Sequence, residues 1–185
     1  MRESWLAEKK AERGAAAGNW SVAVAAVLAV AVLAVAAYGV LSHRDGARDA
    51  GEMVRAEVLW VTDGDTIFVR LEDGTENHVR LIGINSEEAG TEPGDAATAF
   101  TKSLLPRGCK VWLAKGVSDT DKYGRWLRYV WLEPPADPSD PQEVRARMVN
   151  GILVAAGHAE AKRYPPDTAY SRIFEAIEAD VRSGS

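Results

Sequence analysis

The chain has 185 residues, a formal net charge of -5 and a single cysteine. One cysteine excludes an intramolecular disulfide, and His43, His78 and His158 lie too far apart in sequence to suggest a zinc site. The negative charge argues against a polymer-coating nucleic-acid binder, because many phosphate contacts need a surplus of lysine and arginine on one face.

Composition divides the chain in two. Residues 1–19 read as a short tail, and Trp20–Leu41 contains no charged residue. A helix rising about 1.5 Å per residue needs roughly 20 apolar residues to cross about 30 Å of hydrocarbon, so residues 20–42 are predicted to be one transmembrane signal-anchor helix. Trp20 and Tyr38 fall near its ends, at the level amphipathic rings favour. Arg2, Lys9, Lys10 and Arg13 precede the span, and only Arg44 and Arg48 follow it closely. This asymmetry predicts a cytoplasmic tail, a single pass through the cell membrane and an extracellular C-terminal domain. A secretory signal cleaved at a small-residue site such as Ala34-Val35-Ala36 is the alternative, and it would give a secreted protein. Residues 43–53 are charged and aperiodic and read as a linker.

Residues 54–185 are long enough for one domain core. From Met53 onward there are 16 Lys+Arg against 21 Asp+Glu, so this domain alone carries the deficit. Val54–Val61 reads as a strand with Val54, Ala56, Val58 and Trp60 at alternating positions. Thr62-Asp63-Gly64-Asp65 is a turn, Thr66–Leu71 a second strand, and Asp73-Gly74 the signature of a tight hairpin. His78–Ile84 is the third strand. Pro93–Leu105 has helical spacing at Ala96, Ala97, Phe100 and Leu104, and Pro106 and Gly108 stop it. Cys109 leads into a strand at Val111–Ala114, where it reads as a small buried hydrophobe. A polar loop, Gly116–Arg125, separates that strand from another at Trp126–Leu132. Glu133–Pro141 is an exposed loop, and helices are predicted at Val144–Ala156 and Thr168–Arg182. Five strands with a helix between the third and fourth are the order of an OB-type Greek-key barrel with flanking helices, mainly β within an α+β plan.

Three clusters carry chemistry together that none carries alone. Asp63-Gly64-Asp65-Thr66 is a turn with two carboxylates, suited to a hard cation. Arg80 begins a stretch that ends in the oxygen donors Asn85, Ser86, Glu87 and Glu88. Asp121-Lys122-Tyr123-Gly124-Arg125 is a polar turn with a second arginine. Two guanidinium forks, an acidic cation site and a spare glutamate suit phosphodiester hydrolysis.

On these residues the chain resembles the staphylococcal nuclease family across nearly all of 54–182. The resemblance rests on Val61-Thr-Asp-Gly-Asp-Thr66, Val79-Arg-Leu-Ile-Gly-Ile-Asn-Ser-Glu-Glu88, Ala99-Phe-Thr-Lys102, Thr120-Asp-Lys-Tyr-Gly-Arg125 and Met148-Val-Asn150. It implies a calcium-dependent phosphodiesterase acting on DNA or RNA. By position it implies Asp65, Asn85 and Ser86 as calcium ligands, with Asp63 and Glu87 in support. Arg80, Glu88 and Arg125 take the catalytic positions, and Lys122, Tyr123 and Tyr164 the substrate-binding ones. Asn85 stands where the family has an aspartate, Glu87 where it has a proline, and the spacing from Gly157 to Tyr164 is one residue short. The two arginines are expected to act on phosphate and not on the fold. The alternative is a catalytically inactive OB-fold module binding nucleic acid or protein at the membrane surface, which the acidic charge and Asn85 favour. No protein partner is inferable.

Overall fold

The computed structural model describes residues 53–184, so the expected tail, membrane anchor and most of the linker lie outside the described residues. Among those described, no helix is long and apolar enough to cross a membrane. Three strands, β1 (Val54–Asp63), β2 (Thr66–Leu71) and β3 (Glu76–Leu81), pair antiparallel as a meander. The tight turn between β2 and β3 carries Gly74 at φ +86°, a conformation glycine adopts without strain. In β1 the expected alternation breaks. The β1–β2 register shifts between Val58 and Trp60, so Ala56, Val58 and Val61 point into the core while Trp60 turns outward, 48% exposed. A bulge reverses the facing of every later residue, which alternation alone cannot foresee.

The predicted third strand is also divided. Gly83, at φ +82°, turns the chain after Leu81, and Ile84–Asn85 forms a separate two-residue strand, β4. Helix α1 (Glu92–Leu104) follows. The side chain of Thr91 caps it, Pro93 lies in its first turn, and Ala97 and Thr101 face inward.

β5 runs from Lys110 to Thr120, well into the segment predicted as loop, and β6 spans Trp126–Trp131. β5 pairs antiparallel with both β6 and β1, and β6 runs parallel to β3. The closed order β1-β2-β3-β6-β5 is the expected five-stranded OB-fold barrel. Its core includes Val58, Ile67, Val69, Val79, Val111 and Val130, all at 0% exposure.

The predicted single helix after the 133–141 loop is two, α2 (Pro141–Arg147) and α3 (Val149–Ala155). Met148 between them is extended and bridges to Trp131, adding a backbone contact to the end of β6. β7 (Glu160–Ala161) pairs with β4, and α4 (Ser171–Ser183) closes the described chain. Phe174 and Ile177 of α4 join Met148, Leu153, Tyr129 and Trp131 in the same core. Consecutive residues Tyr129, Val130 and Trp131 are all buried, because β6 is covered on both faces. Asn150, fully buried, accepts from the Val130 N–H at 2.9 Å and donates to the Ile82 carbonyl at 2.9 Å. That amide ties α3 to the barrel where the chain turns into β4.

Candidate active site

The turn between β1 and β2 is seated by close approach. A Cβ on Gly64 would lie 2.7 Å from Ser86 Cβ and 2.9 Å from Ala97 Cβ, so only glycine lets the turn rest against α1 and the segment after β4. Thr101 Oγ1 donates to the Gly64 carbonyl at 2.8 Å, and the Asp65 N–H donates to Asp63 Oδ1 at 3.1 Å. These contacts aim Asp65 inward, where it is 6% exposed. Its Oδ2 accepts from the Ser86 N–H at 2.9 Å and pairs with Arg80 Nη2 at 3.0 Å. Burial pushes the Asp65 carboxyl above the usual aspartate pKa, although Arg80 and the Ser86 N–H pull the other way.

Arg80 lies in β3 opposite Thr66 of β2 and Leu127 of β6. Besides Asp65, it donates to the Leu81 carbonyl, to the Ile84 carbonyl at 3.1 Å and to Asn85 Oδ1 at 3.2 Å. Its guanidinium therefore braces the β3–β4 turn, a role sequence reasoning did not assign to it. Asn85 is exposed at the end of β4, and its Nδ2 donates to the Ser86 carbonyl at 3.2 Å.

Glu87 and Glu88 follow, both exposed. The main chain of Glu88 is fixed: its carbonyl accepts from Thr91 Oγ1 at 2.7 Å, and α1 packs so tightly there that a Cβ on Gly94 would sit 2.0 Å from the Glu88 oxygen. Across the barrel mouth, the parallel β3–β6 pairing delivers Arg125 beside this loop. Its Nε and Nη2 both reach Asp121 Oδ2 at 2.7 Å, and Nη1 approaches Thr66 Oγ1 at 3.4 Å. Asp121 also accepts from the N–H groups of Tyr123 and Arg125 at 2.9 and 3.1 Å. Burial works against its ionisation, but those bonds outweigh it and hold its carboxyl below the usual range. Asp121 was visible only as part of a polar turn; an Asp followed four residues later by Arg across an Asx turn is the signal that could have singled it out.

These elements line an open cavity of about 570 Å³. The β1–β2 turn contributes Asp63 and Asp65, the next segment Arg80, Asn85 and Ser86, and the loop before α1 both glutamates. Arg125 and Tyr164 form the other wall with Asp121. Lys122 and Tyr123 do not line it. They sit at the exposed tip of the 121–125 turn, with the Lys122 ammonium 4.9 Å and the Arg125 guanidinium 5.5 Å from the Tyr123 ring. Asp167 also lines the cavity, 5% exposed, and its Oδ1 accepts from the Ser118 N–H at 2.9 Å, anchoring the segment that carries Tyr164. No sequence pattern pointed to it.

At the end near Asp65 the available ligands are oxygens: two carboxylates, the Asn85 amide oxygen and the Ser86 carbonyl. This set fits a hard divalent cation and is poor for a soft metal. The buried Asp65 charge, only partly offset by Arg80, is a second feature a cation would relieve. Among the described residues, no three His, Cys, Asp or Glu side chains gather closely enough to hold a metal alone, so carbonyl, water and phosphate oxygens would complete any shell.

The family described as staphylococcal nuclease homologue matches residues 78–184. The thermonuclease of Staphylococcus intermedius is 36% identical over 128 residues, covering 66% of this chain and 68% of that protein. The thermonuclease of Staphylococcus hyicus is 33% identical over 132 residues, covering 68% and 70%. Protein ParB of Escherichia coli is 35% identical over 118 residues, covering 64% and 63%.

Proposed function

The chain belongs to the staphylococcal nuclease family, and on that footing we propose that it is a calcium-dependent nuclease hydrolysing phosphodiester bonds of DNA or RNA. The observation that carries this reading is the convergence of Arg80, Arg125, Asp65 and the 85–88 segment on one cavity. Asp65, Asn85 and Ser86 would hold the cation, with Asp63 and Glu87 adding negative charge nearby. When bound, the cation supplies charge neutralisation at a phosphate oxygen.

The remaining work falls to the protein's own groups. Arg125 offers its fork to the equatorial phosphate oxygens, with Asp121 fixing its plane. Glu88 takes a proton from a water as that water's oxygen bonds to phosphorus. The ester P–O bond opposite breaks, and the departing oxygen is protonated from solvent. Tyr164, from the cavity wall, and Lys122 and Tyr123, from the exposed tip of the 121–125 turn, would meet the rest of the nucleotide chain. The inactive binding module remains the second reading, and two observations favour it: the acidic domain and the neutral amide at Asn85.

Assay of the full chain in mild detergent on single-stranded DNA separates them. Hydrolysis with Ca²⁺ that stops with EDTA is expected, and Glu88→Gln should lose about 10²–10⁴ in rate at saturating Ca²⁺. Binding without turnover would leave the module. Loss of turnover in Glu87→Gln but not in Glu88→Gln would move the base by one residue. We further propose that residues 20–42 stay in the mature protein and hold the nuclease on the outer face of the cell membrane, because the run is uncharged and of spanning length.

A further inference from the structure

Three aromatic rings cross the outer face of the meander, and none of them lines the cavity that holds Asp65, Arg80 and Arg125. Trp60 pairs in register with Phe68, and Phe68 with His78, one residue from each of β1, β2 and β3. The Trp60 and Phe68 rings stack at 4.1 Å with 12° between their planes, and His78 meets Phe68 edge-on at 4.7 Å. Thr62 Oγ1 lies 3.4 Å from His78 Nδ1 and steadies that ring. Cross-strand aromatic pairs do stabilise sheets. That pairing uses one face of Trp60 only: the residue keeps 48% of its surface exposed, and the bulge in β1 turns it out of the core.

Its neighbours on this face say what it faces. Two residues along β2 from Phe68 is Thr66, and two along β3 from His78 is Arg80; these two are themselves paired, and Thr66 Oγ1 is where Arg125 reaches. Two residues of strand span about 6.7 Å. Phe68 and His78 thus lie one step along their strands from the largely buried Thr66 and Arg80, and Trp60 lies two strands over from Arg80. A base that reaches Trp60 therefore belongs to a nucleotide neighbouring the one whose phosphate rests in the cavity. In the other direction the face ends at an ion pair, Arg70 Nε to Glu76 Oε1 at 2.7 Å. The platform is bounded on one side by charge and on the other by the cavity's arginines.

We propose that Trp60, backed by Phe68 and His78, is a platform on whose free ring face an unpaired base stacks, so that this nuclease holds single-stranded nucleic acid there. The proposal rests on the nuclease reading for where the phosphate lies. It also answers the charge problem: a domain with 21 acidic against 16 basic residues has little phosphate affinity to spend, and base stacking on an aromatic side chain is independent of net charge and tolerant of sequence. A duplex offers no free base face to such a platform.

Three fluorescent probes test it by anisotropy with the full chain in EDTA: an oligothymidylate octamer, an abasic octamer with the same phosphates, and a duplex octamer. The wild type is expected to bind the oligothymidylate at least about fivefold more tightly than either of the others. Trp60→Leu, which keeps apolar bulk, should lose that margin, while Trp60→Phe, which keeps a ring, should retain most of it. Binding of the abasic octamer should not change in either variant. Equal binding of oligothymidylate by the wild type and Trp60→Leu, or equal weakening of all three probes, would overturn the platform. Cleavage by the wild type with Ca²⁺ is scored separately. A platform margin without cleavage would sink the nuclease reading and keep the platform; cleavage without the margin would do the reverse.

Discussion

Arg80 and Arg125 look interchangeable in the sequence, each a lone arginine beside a carboxylate cluster, but the fold holds them differently. Arg80 spends its donors on two backbone carbonyls, the Asn85 amide and the buried Asp65 carboxylate, and its side chain is only 13% exposed. Arg125 is held through Nε and Nη2 by one partner, Asp121, and its side chain is 30% exposed. Substituting lysine at Arg125 should therefore cost on the order of 10²–10³ in turnover with the melting temperature nearly unmoved. The same change at Arg80 should lower both. It leaves acceptors around Leu81, Ile84 and Asp65 short of donors, at about 1–3 kcal/mol for each one left buried and unpaired, or several degrees of melting temperature. Thermal melts of both variants alongside initial rates decide it; an Arg80→Lys protein that melts with the wild type would return Arg80 to a purely chemical role. The residue types of this site were legible because phosphate and hard-cation chemistry admit few choices. Which donors are already committed to the protein was not, since that depends on the Gly83 turn and on Asp65 being buried. Asp167 was invisible for the same reason: its partner, the Ser118 N–H, lies 49 residues away in sequence.

At the scale of elements, the long-range pattern survived and the short pieces did not. β2 and the Asp73-Gly74 hairpin follow directly from β-branched alternation and turn chemistry. β4 and β7 have two residues each, too few for any periodicity, and Met148 breaks a helix because its backbone bridges to Trp131 across the fold. β5 continues through polar residues to Thr120, where it pairs with Trp126 of β6 again after an irregular stretch that hydrophobic patterning does not mark. The element with the clearest functional consequence is the β1–β2 turn, which drives Asp65 beneath Ser86. A carboxyl whose folded pKa is raised gives stability that is complete below its unfolded pKa and lost as pH rises through the folded one. In EDTA, then, Asp65 should weaken the fold as pH climbs through that window, which begins near the ordinary aspartate value of 3.8 and ends above it. A cation needs the ionised form, so calcium should reverse the trend. We expect the calcium-induced rise in melting temperature to be small near pH 4, to grow with pH and to level off by neutrality. At a hundredfold excess over its dissociation constant it should be worth about 2.7 kcal/mol, a shift of several degrees. Asp65→Asn should abolish the calcium response. A shift of equal size in that variant would place the ion elsewhere, and no shift in the wild type would deny this site calcium at all.

The whole chain joins an acidic barrel to an uncharged run of spanning length, and the two halves set how it would meet a membrane. The net charge of a domain carrying 21 acidic and 16 basic residues supplies no attraction to anionic headgroups. On the anchor proposed above, attachment comes from apolar burial of residues 20–42, and that mechanism has a signature. An electrostatic attachment fails in high salt, where screening lengths fall to about 3 Å at 1 M, whereas a spanning helix is indifferent to salt and yields only to detergent. The full-length protein should therefore remain with the membrane fraction through 1 M salt and alkaline washing. Deleting residues 20–42 should release it entirely. Residues 1–19 carry more arginine and lysine than residues 43–52, so on this proposal protease added to intact cells should digest the barrel and spare residues 1–19. Recovery of a mature protein beginning near residue 37 from the medium would show a cleaved signal instead, and protection of the barrel in intact cells would invert the orientation. Either way the enzyme reading is untouched, because the barrel's cavity is built entirely from residues within 63–167.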